Sequence, residues 1–125
     1  MKQSIVTLLS IFSINAFAVA NSWNIHNTSK SITFKRMESH FKVPNDSNID
    51  PIQGTLTATD ASFTPILKQR IILSDNRYLI VTSTTISFHD ADGNILAKCD
   101  YLGQNCNSSS NFSYVNPGVF NFEPT

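Results

Sequence analysis

The stretch from Gln69 to Cys106, QRIILSDNRYLIVTSTTISFHDADGNILAKCDYLGQNC, leaves few choices for the fold. Ile71 and Leu73 alternate with Ile72 and Ser74, Leu79 and Val81 with Ile80 and Thr82, and Ile86 and Phe88 with Ser87 and His89. From Ile95, one face carries Ile95, Ala97, Cys99 and Tyr101, and the other Leu96, Lys98 and Asp100. A period of two among Ile, Val, Thr and Phe is the pattern of strands, whose successive side chains point to opposite faces of a sheet. Asp75-Asn76 can supply the positive φ of a tight hairpin. Asp90-Ala-Asp-Gly-Asn94 is a stronger turn signal, with Asp at its first position and Gly93 free to adopt the left-handed region. The stretch therefore reads as a meander of three consecutive antiparallel strands.

Outside it the signals are weaker. Asn21 to Ser31 reads as a polar lead-in, with Trp23 either plugging the core or exposed for binding. Residues 31–43 are ambiguous. Ile32 and Phe34 suit a strand, whereas Phe34, Met37 and Phe41 fall at helical spacing. Pro44 ends either element. A strand is expected from Gly54, with Leu56 and Ala58 inward, then a turn at Asp60-Ala-Ser62 and a short strand from Phe63 to Leu67 that Pro65 confines to an edge or a bulge. Phe112 to Phe122 looks like a last hairpin turning at Pro117-Gly118. The expected fold is mainly β, a small antiparallel β-sandwich or barrel with one disulfide. An α+β domain with one short helix near residues 31–42 is the alternative.

The chain begins with a basic Met1-Lys2, an apolar run from Ile5 to Val19, and small residues at Ala16, Ala18 and Ala20. That is the form of a secretory signal peptide, with residues 1–20 removed to leave 21–125 as a single mature β-rich domain. The apolar run is short for a membrane span. The expected location is extracytoplasmic, secreted or periplasmic, with no integral membrane segment after cleavage. Cys99 and Cys106 are the only cysteines. In an oxidising compartment they are expected to pair and close a short loop around Tyr101.

Nine basic residues stand against nine acidic ones, which gives no electrostatic case for nucleic acid as a partner. Oxygen ligands at Asp90, Asp92 and Asn94 resemble the start of a calcium loop, but its twelfth position is Tyr101 or Gly103, neither of which can complete it. A hairpin turn accounts for the same residues. His26, His40 and His89 have no metal-ligand spacing. The expectation is no metal and no cofactor. Lys30, Lys35, Arg36 and Lys42 form a mild basic cluster best read as a solvated face. Asn-x-Ser/Thr sequons at Asn27, Asn45, Asn107 and Asn111 would be glycan acceptors in a eukaryotic secretory pathway.

No nucleophile elbow, Ser-x-x-Lys pattern or phosphate-binding glycine loop occurs, and no catalytic residue is assigned. The expected function is non-catalytic binding by a small effector-like protein. It would present loops or an edge strand to another protein or a surface glycan. The candidate contacts are Trp23, Tyr101, Asp90, Asp92 and Asn94. A small secreted hydrolase with a Ser/His/Asp-type site hidden from motif reading is the alternative. It requires a pocket holding His89 or His40 within hydrogen-bond reach of a serine and a carboxylate.

Overall fold

The computed structural model describes residues 22–39, 54–65, 68–107 and 109–125. The leader, His40 and the sequon at Asn45 lie outside the described residues. The strands are β1 (Trp23–Asn27), β2 (Phe34–Ser39), β3 (Gly54–Leu56), β4 (Asp60–Phe63), β5 (Gln69–Leu73), β6 (Tyr78–Val81), β7 (Thr85–His89), β8 (Ile95–Asp100), β9 (Phe112–Asn116) and β10 (Val119–Phe122). They form two five-stranded sheets, β3-β4-β1-β10-β9 and β2-β5-β6-β7-β8.

The sheets pack face to face as a sandwich, and the period-two pattern explains why. β1, β4 and β10 turn Trp23, Ile25, Ala61, Phe63, Phe120 and Phe122 inward. β5, β6, β7 and β8 answer with Ile71, Leu73, Leu79, Val81, Ile86, Phe88, Ala97 and Cys99. These side chains make one contiguous core, with Phe122 edge-on to Phe88 at 5.0 Å and stacked with Phe34 at 6.4 Å. Burial of that apolar area is the dominant favourable term in folding.

β5 to β8 form a meander of four strands, one more than the three expected. Two of its hairpins share one construction. In the first, Leu73 N–H donates to Arg77 O, Asn76 N–H donates to Leu73 O, and Asn76 takes φ 72°. In the second, Asp90 N–H donates to Asn94 O, Gly93 N–H donates to Asp90 O, and Gly93 takes φ 96°. Each is a three-residue loop whose last residue is left-handed, the role that Asn and Gly fill at least cost.

Residues 34–39 are a strand, so the helical alternative is not adopted there; Phe34 and Met37 point inward across a register shift in the pairing with β5. Two boundaries also differ from expectation. Asp60-Ala-Ser62 belongs to β4, and the turn falls earlier, at Thr57–Thr59, with Ala58 exposed. There the Thr57 hydroxyl accepts from the Thr59 and Asp60 N–H groups, a local capping that competes with strand extension. The polar lead-in is the third difference. Its residues Trp23–Asn27 form the central strand of their sheet, antiparallel to β4 and parallel to β10.

Candidate functional site

β8 carries a similar loop at each end. At Asp90, one carboxylate oxygen accepts from Asp92 N–H and Asn94 N–H at 2.9 Å each, and the other accepts from Asn94 Nδ2 at 2.9 Å. The Asn94 side-chain bond, followed by its backbone bond, holds the Asp90 carboxyl below its usual range. At Asp100 the pattern recurs: Leu102 N–H (3.1 Å), Gln104 N–H (2.7 Å) and Asn105 Nδ2 (3.0 Å) donate to its carboxylate. Gly103 takes φ 74° in that second loop. The structure thus brings Asp90, Asp92 and Asn94 together as a turn whose Asp90 oxygens are already satisfied by N–H donors. Among the described residues no group of three His, Cys, Asp or Glu side chains could hold a metal ion.

The Cys99–Cys106 disulfide closes the second loop from the buried Cys99. Beyond it, Asn107 pairs with Lys98 on the outer edge of β8. Tyr101 is a clamp: its N–H donates to Thr84 O, its carbonyl accepts from Gly118 N–H, both at 2.8 Å, and its ring meets Trp23 edge-on at 5.2 Å. Gly118 is required there, because a Cβ would collide with Tyr101 and with the Ser22 carbonyl. Trp23 is 0 % exposed, stacks on Phe120 at 5.6 Å and donates its indole N–H to Thr82 O at 3.0 Å. Of the two roles open to Trp23, the structure gives it the core. The exposed apolar groups are others: Ile95 (57 %) and Leu96 beside the Asp90 turn, Leu102 (51 %) in the disulfide loop, and Tyr114 and Val115 on β9. Sequence reasoning missed Ile95, since alternation put it on the same face as Ala97 and Cys99, which are buried. A register shift between Phe88 and His89 turns it out.

The outer face of the β2-β5-β6-β7-β8 sheet carries a polar row. Arg36 and Arg70 both donate to Glu38, at 2.7 and 2.8 Å. The Arg70 guanidinium lies 5.5 Å from the Tyr78 ring centre, and Tyr78 stacks on His89 at 5.0 Å. His89 Nε2 is 2.7 Å from Ser87 Oγ, and its Nδ1 is 3.3 Å from the Gly93 carbonyl oxygen. A carbonyl only accepts, so in the neutral tautomer Nδ1 carries the N–H towards Gly93 and Nε2 accepts a hydrogen bond from the Ser87 hydroxyl. Both side chains are buried. A carbonyl stands where a triad would have a carboxylate.

On the other sheet's outer face His26 Nδ1 donates to Asp60 Oδ1 at 2.9 Å, which lowers the Asp60 pKa, with a smaller contribution from Thr59. One β1 position on, the sequon residue Asn27 is fully buried. Its Nδ2 donates to Ile32 O (2.8 Å) and Ala58 O (3.3 Å), which leaves no N–H for a glycan. A shallow cleft of about 90 Å³ opens nearby between Thr28, Asn111, Ser113, Asn121 and Glu123.

Glu38, Asp60 and Asp90 all have folded-state pKa values below their ordinary ones; for Glu38 the cause is Arg36 first and Arg70 second. A depressed carboxylate pKa contributes stability above the unfolded value, and that contribution is lost as pH falls through the folded one. The thermal midpoint of the protein should therefore drop as pH falls below about 4, by a modest amount because these groups are exposed. A midpoint that rises on acidification from neutral pH would contradict this assignment.

A disulfide accords with an oxidising compartment, and no helix among the described residues is long and apolar enough to cross a membrane. No protein-family model, curated protein or solved structure matches the chain.

Proposed function

We propose that the protein is an exported, non-catalytic binding module whose contact surface runs along β8 and the two Asp-locked loops at its ends. One observation carries this reading: Asp90–Asn94 and Asp100–Cys106 are fixed by carboxylate hydrogen bonds, the second also by a disulfide, yet Ile95 and Leu96 beside the first and Leu102 within the second are exposed. Aliphatic groups held in water on rigid loops are pre-ordered, so a partner that covers them gains burial without the entropy cost of ordering the loop. Another protein, or a surface glycan contacted through the loop amides, is the partner class. The test is capture by immobilised mature chain from extract of its own compartment, beside the Ile95→Asp and Leu102→Asp variants. A saturable partner bound at least tenfold more weakly by the variants is expected. A partner retained equally by both variants, or none at all, overturns the reading.

The hydrolase alternative would have to use the Ser87–His89 contact, with Ser87 as nucleophile and His89 as base, although both are buried and the Gly93 carbonyl stands in place of the carboxylate. It requires hydrolysis of an activated ester that Ser87→Ala abolishes; hydrolysis unchanged in that variant removes it.

A further inference from the structure

We propose that the cleft beside Glu123, on the outer face of the β3-β4-β1-β10-β9 sheet, binds a primary ammonium group. It lies where the ends of β1 and β10 meet the start of β9, and it holds about 90 Å³, room for roughly three water molecules. Thr28, Asn121 and Glu123 wall one side, and Asn111 and Ser113 the other. Main-chain bonds fix this frame: Thr28 N–H donates to Phe122 O, and Glu123 N–H donates to Asn111 O.

The fixed groups offer a ligand mainly acceptors. The Thr28 hydroxyl donates to Phe122 O at 3.4 Å and keeps its lone pairs for a ligand. Asn111 Nδ2 donates to Glu123 O at 2.8 Å, which engages the donor end of that amide and leaves its oxygen. The Glu123 carboxylate only accepts, and no ion pair among the described residues uses it. No Lys or Arg lines the cleft. None occurs in the five strands of its sheet either, whereas the other sheet's strands carry Lys35, Arg36, Arg70 and Lys98. The electrostatic complement of such a site is a positive group with several N–H donors.

Size selects the ammonium among such groups. It is a compact charge with three donors on a flexible stem, whereas a guanidinium is a wide planar fork. A sugar ring is larger than the space, and a divalent metal ion takes more oxygen ligands than one carboxylate and its neighbours supply in a closed shell. Phe112, 7 % exposed, also lines the cleft and gives the methylenes next to the charge an apolar contact.

The test is a titration of the protein with Nα-acetyl-lysine methylamide, followed by amide chemical shifts. Saturable shifts at Ser113, Asn121 and Glu123 are expected, with a millimolar Kd, the strength of an exposed ion pair backed by a few hydrogen bonds. The norleucine analogue, the same stem without its ammonium, should leave them unmoved. Glu123→Gln should weaken the lysine probe roughly threefold or more, with the variant folded as judged by circular dichroism. n-Butylamine separates two sources of the head group. Binding weaker than that of the lysine probe assigns it to a lysine of another protein, equal binding assigns it to a small free amine, and either supports the site. No saturation, equal shifts from the norleucine analogue, or unchanged binding by Glu123→Gln overturns the proposal. None of these results bears on partner capture through Ile95 and Leu102.

Discussion

Trp23→Ala is expected to cost about 3–5 kcal/mol of folding stability, the largest effect of any single truncation in this chain. The indole lies wholly inside the sandwich, stacked on Phe120, edge-on to Tyr101 and bonded to Thr82 O. Its removal opens a cavity where β1, the β6–β7 turn and the disulfide loop converge, and leaves the Thr82 carbonyl without that donor. A loss of this size is a large share of the roughly 5–15 kcal/mol that holds a domain of this kind together. Trp23→Phe keeps most of the apolar area and removes the hydrogen bond, so it should cost about 1–2 kcal/mol. Trp23 is the only tryptophan, so the transition must be followed by far-ultraviolet circular dichroism rather than fluorescence. A loss below about 1 kcal/mol for the alanine variant would mean the indole is not packed as described.

The second large effect is expected at Asn27, a polar side chain at an inward position of β1. Its amide bridges three segments: Nδ2 donates to Ile32 O and Ala58 O, and Oδ1 accepts from Ser29 N–H. It therefore ties β1 to the β1–β2 connection and to the turn before β4. Asn27→Ala removes all three bonds at a buried site, and a cost of about 2–3 kcal/mol follows, mostly from groups left without partners. Asn27→Asp should be worse at neutral pH. A carboxylate keeps the Ser29 bond but sets its second oxygen against two carbonyls, and protonation in acid should recover part of the loss. Asn24→Ala, on the exposed face of the same strand, should change stability by about 0.5 kcal/mol or less. Urea denaturation of the three variants decides the matter; equal costs at positions 24 and 27 would rule out the bridging role.

Both large effects lie in β1, the segment whose sequence looked least structural. Trp23, Ile25 and Asn27 do alternate, but Asn and His have low strand propensity and a five-residue run is a weak signal. What makes β1 a central strand is its parallel pairing with β10, across nearly the whole chain from Trp23 to Phe122. No local rule reaches that far. The polar row on the outer face of the other sheet escaped notice for the same reason. Ser87 and His89 read as the solvent side of β7, and only the neighbouring strands, with Tyr78 stacked over the imidazole, bury them.

By itself the sequence determined what depends on neighbours a few residues away. The alternation of β5 to β8 requires strands, Asn76 and Gly93 supply the left-handed residues that close two of their hairpins, and Cys99 and Cys106 are near enough to pair. The tertiary structure alone decided which strands became neighbours outside that meander. It placed the β1 ladder between β4 and β10, turned Ile95 outward at a register shift and left β9 at a sheet edge. Those outcomes follow from burying two apolar faces against each other, a property of the assembled sheets and of no single segment.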